Sequence, residues 1–123
     1  MHENKDMPYL ETYKLDGIIM SKSENKFLDN ASTHCEGIGI GQGPKAKVTS
    51  YCIAIDPDGD MLMWGGPRKE GVIEREFGQG TGKYKGIKGK HRSERIAAAK
   101  KPLKPRTFQE CRNLTGTIEL PPK

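Results

Sequence analysis

The sequence predicts an all-β fold, a single antiparallel β-barrel of about eight strands. Three observations carry that expectation. The 123 residues include 15 glycines and 8 prolines. Short stretches alternate apolar with polar residues, the period of a half-buried strand. Turn signals recur at close spacing along the chain, and no stretch reads as a long helix. Residues 1–8 read as a polar tail and 9–121 as one barrel domain, since this length leaves no room for a second core of normal size.

Tyr9 to Met20 alternates, with Tyr9, Tyr13, Leu15 and Ile19 on one parity. Residues 21–27 are a polar loop. Thr33 to Ile40 forms a second strand, with His34, Glu36, Ile38 and Ile40 in phase. Gly41-Gln-Gly-Pro44 is a turn. Val48 to Ile55 is the clearest strand, being short, β-branched and aromatic. Asp56-Pro-Asp-Gly-Asp60 then turns the chain into Met61-Leu-Met-Trp64, because Pro presets φ and Gly supplies a positive φ. This turn looks like a calcium loop. However, an EF-hand needs Gly sixth and Glu twelfth, where Met61 and Pro67 stand.

Val72 to Phe77 alternates, with Ile73 and Phe77 flanking Arg75, and Gly78 to Gly82 is a turn. Tyr84 to Ile96 is extended but interrupted by Gly86 and Gly89, as at a barrel corner. Ala97 to Pro105 is a loop. Thr107 to Leu120 closes the domain, with Phe108, Leu114, Ile118 and Leu120 in phase, and Pro121-Pro122 ends it.

Composition excludes several classes. Hydrophobic residues are 33% and charged residues 30%, which implies a modest core. No apolar run approaches the roughly 20 residues that span a bilayer. The first residues lack a signal-peptide stretch, so the chain reads as cytoplasmic as it stands, or exported if a signal was removed. Three cysteines, Cys35, Cys52 and Cys111, are too few for a disulfide scaffold. They read as small half-buried hydrophobes, with a Cys35–Cys52 bridge as the alternative in an exported protein. No CxxC pair exists, which argues against a thiolate zinc site.

The charge is uneven. Lys83 to Arg106 holds ten Lys/Arg and one acid, a window of +9, against −4 for the rest of the chain. Such a segment reads as a solvated strand face with a lysine-rich loop, or as a surface for nucleic acid or anionic membrane. Only Tyr84 and Phe108 supply aromatics nearby. That argues against single-strand stacking and against nucleic acid as a partner.

Gly80-Thr-Gly-Lys-Tyr-Lys-Gly-Ile-Lys-Gly89 lacks the spacing of a P-loop, and its glycines read as turn and corner positions. It resembles the GGTGKF/Y…G signature of the allene oxide cyclase barrel and dirigent superfamily, most of all the small bacterial members. Tyr51-Cys-Ile-Ala-Ile-Asp-Pro-Asp-Gly-Asp60 and Thr115-Gly-Thr-Ile-Glu-Leu-Pro121 are similar to that group's hairpin and closing strand. The resemblance covers roughly residues 33–121. After Gly89 it departs: Lys90-His91-Arg92-Ser93-Glu94-Arg95 stands where small or aromatic residues are usual. The resemblance implies a water-poor cavity that folds a reactive substrate into shape without metal or cofactor. It also implies dimers or trimers.

Strand parity nominates the residues that carry chemistry. In phase with apolar neighbours stand Glu11, His34, Glu36, Arg75, Glu110 and Arg112. Inward charges must be paired. Such a set offers a Glu of raised pKa as acid or base and an Arg as anion clamp. Tyr51, Trp64 and Tyr13 are candidate cavity walls, with His91, Arg92 and Glu94 at a mouth, His91 on the opposite parity to the other two. The expected function is a lyase, isomerase or cyclase acting on a small hydrophobic molecule, anionic in one version. The alternatives are a non-catalytic carrier of a hydrophobic ligand and a binder of anionic surfaces through 83–106.

Overall fold

The computed structural model describes residues 9–41, 47–68, 72–101, 103–105 and 107–120. The expected tail, the turn after Gly41, the side chain of Ile73 and the closing prolines lie outside the described residues. Seven strands are described: β1 (Tyr9–Ile18), β2 (Ser32–Gly41), β3 (Lys47–Ile55), β4 (Met61–Arg68), β5 (Val72–Gly80), β6 (Lys88–Ala98) and β7 (Glu110–Glu119). They form one antiparallel sheet in sequence order, with β1 and β7 as its edges. The sheet curls into a half-barrel, so the chain is all-β as expected, with seven strands and an open seam. The only helix among the described residues is a 3-10 turn at Gly82–Tyr84.

The curl has local causes. Between β4 and β5 the register slips, so that Leu62 faces Gly80 while Trp64 faces Phe77. A second slip on β6 falls between Arg95 and Ala97. Each extra residue bends its strand and tightens the twist. Gly89, at φ 151°, sits where a Cβ would collide with the β7 backbone at Thr117, so β6 passes close to β7 there.

Register decides which side chains face inward. One row crosses five strands: Leu15 opposite Cys35, Cys35 opposite Cys52, Cys52 opposite Trp64, and Trp64 opposite Phe77. The two cysteines are bonded to each other, and Cys111 is free and exposed. By the chain-entropy account, closing their 17-residue separation contributes about 3 kcal/mol. The next row holds Tyr13, Gly37, Ser50 and Gly66. A Cβ on Gly37 would fall inside the Tyr13 ring, so the glycine makes room for the tyrosine.

The two ends of the half-barrel differ. At one end the β1–β2 connection folds over the concave face and its backbone continues the ladder, with Ile19 N–H donating to Ala31 and Asn30 N–H to Ile19. It delivers Leu28 and Ala31 to a core with Ala54, Leu62, Trp64, Tyr84 and Ile87. Phe27 meets Phe77 and Tyr84 edge-on at 5.9 and 5.8 Å. Edge-to-face rings add about 1 kcal/mol beyond their buried area.

The same end is pinned by the turn from β3 to β4. Lys83 Nζ lies 2.7 Å from both Asp56 and Asp58, and the Tyr84 hydroxyl donates to Asp56 at 2.7 Å. The Asp56–Asp60 turn and the Gly80–Tyr84 segment therefore meet as one unit. A Cβ on Gly82 would overlap the Asp60 carboxylate, and its φ of 55° also suits glycine. Burial alone would raise the Asp56 pKa. The Lys83 ammonium, the Tyr84 hydroxyl and the amides of Asp60 and Asp58 outweigh it and hold the carboxyl down at about 2.

Candidate functional site

The other half of the concave face is an open trough of about 360 Å³ between the two sheet edges. Its apolar wall is Trp64 and Leu15, with Phe77 packed behind Trp64 at 6.2 Å between ring centroids. Tyr13 of the β1 edge meets Phe108, just before β7, edge-on at 6.2 Å across the seam. Its polar wall comes from β3, β5, β6 and β7. A second hollow of about 490 Å³ lies among Arg75, Glu76, Lys90, His91, Arg92 and Thr115, with no Phe, Tyr or Trp in its lining among the described residues. The trough fits a small hydrophobic guest better.

Arg75 is buried, and its guanidinium donates to the Ser50 hydroxyl at 2.5 Å and to the Ser50 carbonyl at 3.4 Å. Opposite it in register stands His91, stacked on Phe77 at 4.9 Å and edge-on to Trp64 at 5.5 Å. Burial, and then the Arg75 charge, push the His91 pKa down to about 4, so its imidazole is neutral at physiological pH. The His91 Nδ1 is buried and has no hydrogen-bonding partner among the described residues.

Two residues along β6, Ser93 accepts a hydrogen bond from Arg112 at 3.3 Å. Arg112 also holds Glu110 at 2.8 Å, and Arg95 holds the other Glu110 oxygen at 2.7 Å. Burial would raise the Glu110 pKa, but the two guanidiniums reverse this and lower it. The expected carboxyl of raised pKa is thus absent at this position. Glu110 is an ionised brace for Arg112, not a proton carrier.

The nominated residues divide between the faces. Glu11, Tyr13, Trp64, Arg75, Glu110 and Arg112 lie on the concave side. His34, Glu36, Tyr51, Arg92 and Glu94 lie on the convex side, contrary to the expectation that they line the cavity. On β2 the inward residues are Thr33, Cys35, Gly37 and Gly39, and the Tyr13 ring of β1 fills the space over Gly37. The in-phase apolar set of that strand, Ile38 and Ile40, faces outward and is exposed. His34 instead pairs with Asp16 at 2.6 Å, and Glu36 with Lys14 at 3.5 Å. Tyr51 shares its face with Ile53 and Ile55 as expected, but that face is the outer one, and the ring covers Gly65. Arg92 and Glu94 pair with each other at 3.5 Å in solvent.

Strand parity does not nominate Ser50 or Ser93, gives His91 only a place at the mouth, and leaves the Cys35–Cys52 bridge as an alternative, whereas the structure buries His91 and forms the bridge. On β6 the inward positions Gly89, His91, Ser93 and Arg95 include no aliphatic residue, so a rule keyed to apolar phase passes over them. The usable signal was the departure after Gly89, which is where His91 and Ser93 fall. No protein-family model, no curated protein and no solved structure matches this chain.

Proposed function

We propose that the chain is an enzyme of the allene oxide cyclase and dirigent kind. It acts as a lyase, isomerase or cyclase on a small hydrophobic molecule held in the trough. The carrying observation is the junction of an aromatic wall, Trp64, Tyr13 and Phe108, with the polar cluster Arg75, His91, Ser93 and Arg112. The aromatic wall selects a shape. The guanidiniums stabilise negative charge that develops on an oxygen, in a site partly shielded from water. Arg112 is oriented by Glu110 and Ser93, so little reorganisation is needed when charge appears. With Glu110 ionised and His91 a weak base, conformational control and charge stabilisation carry more of the rate than proton abstraction.

A hydrophobic-ligand carrier is the second reading, and the lowered pKa of Glu110 favours it, since the expected general acid is missing.

Trp64 is the only tryptophan, so its fluorescence reports on the trough. Titration with 1-octanol and with octanoate is expected to give a saturable change for both. Arg112→Ala should weaken octanoate about tenfold, the order of one charge-assisted hydrogen bond, and leave 1-octanol within twofold. If neither probe perturbs Trp64, the trough does not bind hydrophobic guests and the reading fails. Catalysis is separated from carriage by an allene oxide generated in the presence of the protein. An enantio-enriched cyclic product marks an enzyme, and a racemic one a carrier.

A further inference from the structure

We infer that the Cys35–Cys52 bridge is a thiol-exchange site, opened from inside the trough by a small thiol that becomes joined to Cys35. Four observations converge on it. Both cysteines line the trough, which is open along the seam between β1 and β7. Cys35 is half-buried while Cys52 is buried, so Cys35 is the more exposed member of the pair. Exchange needs the attacking sulfur in line with the bond it breaks. The bridge runs from β3 to β2, so in-line attack on Cys35 arrives from the β1 side, past the half-buried Leu15 that stands opposite it on the edge strand. Finally, Arg75 is bonded to Ser50, the neighbour of Cys52 on the same face of β3. A thiolate leaving from Cys52 therefore departs near a fixed positive charge, which lowers the pKa of a thiol and speeds its departure.

The step balances. A thiolate RS⁻ gives its electron pair to the Cys35 sulfur, and the S–S bond breaks. Its electron pair leaves on Cys52, giving the mixed disulfide RS–S–Cys35 and the Cys52 thiolate. A second RS⁻ then attacks the sulfur of the mixed disulfide and releases RSSR and the Cys35 thiolate. The two cysteines are reduced, two small thiols are oxidised, and the protons come from those thiols. The co-reactant is a low-molecular-weight thiol that fits the trough.

The test uses the whole chain with exposed Cys111 first alkylated by iodoacetamide, and glutathione as the thiol. Expected is a transient adduct of one glutathione, mapped to Cys35, followed by two free thiols. Far-ultraviolet circular dichroism should stay unchanged, and Trp64 fluorescence should rise as the neighbouring disulfide is lost. Arg75→Met, checked for folding by the same dichroism, should slow the opening about three- to tenfold. Cys52→Ser supplies a second measurement: glutathione disulfide should then modify Cys35 under native conditions. A bridge that opens only in denaturant, or only as the dichroism collapses, overturns the inference. So does an adduct on Cys52, or an opening rate indifferent to Arg75.

Discussion

His91 sits where an imidazole is hard to charge. It stacks on Phe77, touches Trp64 edge-on, faces Arg75 on β5 and has Gly116 opposite on β7. Its pKa is about 4 in the fold, against 6.5 for an ordinary histidine. Above pH 6.5 both states are neutral and the proton makes no difference. As pH falls from 6.5 to 4 the unfolded chain takes up a proton that the fold refuses, so stability is lost across that window. The loss is on the order of 2 kcal/mol, several degrees of melting temperature. His91→Phe keeps a ring against Phe77 and removes the titration. Thermal melts from pH 7 to 4 should therefore fall for the natural chain and stay nearly flat for the variant. Equal slopes would mean that His91 is not held neutral by burial. This residue also marks the limit of what the sequence shows. Arg75, Arg112 and Glu110 are legible because they alternate with apolar residues. His91 alternates with glycine, serine and arginine, and its burial comes from rings on β4 and β5.

The turn between β3 and β4 is legible, and a turn is legible at Gly78–Gly82, but β5 runs on to Gly80, Tyr84 ends a 3-10 turn instead of opening a strand, and the union of the two segments is not legible. Asp56 carries the argument, being 3% exposed at its side chain and ionised. A buried carboxylate is tolerated only when its lone pairs are occupied. Lys83, Tyr84 and the amides of Asp58 and Asp60 occupy them. Tyr84→Phe keeps the ring that packs on Phe27 and removes one hydrogen bond to a charged group, at a cost of about 1.5–3 kcal/mol. Chemical denaturation should show a lower midpoint with an unchanged slope. A variant within about 0.5 kcal/mol of the natural chain would mean that water replaces the hydroxyl. The Asp56 pKa of about 2 adds a second acid window. Its contribution is full above the ordinary value of 3.8 and is lost as pH falls toward 2, below the range in which His91 acts. Strand positions, set by two-residue alternation and turn chemistry, were readable along the chain. The inward face of β2 was not, because glycines and a cysteine form it while isoleucines face solvent. Alternation identifies a strand but does not say which side is the core.

The half-barrel also changes what the basic segment means. As a linear count, Lys83 to Arg106 is a +9 block able to hold a polyanion. In the fold it is dispersed over two faces and an end loop. Lys83 is spent on the three aspartates of the β3–β4 turn, and Arg95 faces the trough to brace Glu110. On the outer side of β6, Lys88 stands opposite Glu119, Lys90 opposite Glu76, and Arg92 pairs with Glu94. Acids of β5 and β7 thus lie across from bases that look concentrated in the sequence. The cations left without an acid opposite them are mainly Lys100 and Lys101, with Lys104, in the exposed loop after β6. Affinity for a nucleic acid rises with the number of phosphates neutralised, and its logarithm falls against log salt with a slope near 0.7 per phosphate on single strands. Three loop lysines predict a slope of about −2 and binding that vanishes at physiological salt. Fluorescence anisotropy of a labelled single-stranded oligonucleotide, titrated from low to high sodium chloride, measures that slope. A value steeper than about −5 would require the β6 face to bind as a unit. Lys88, Lys90 and Arg92 would then have to turn from the acids beside them to phosphate, and the function would lie on the convex surface instead of in the trough.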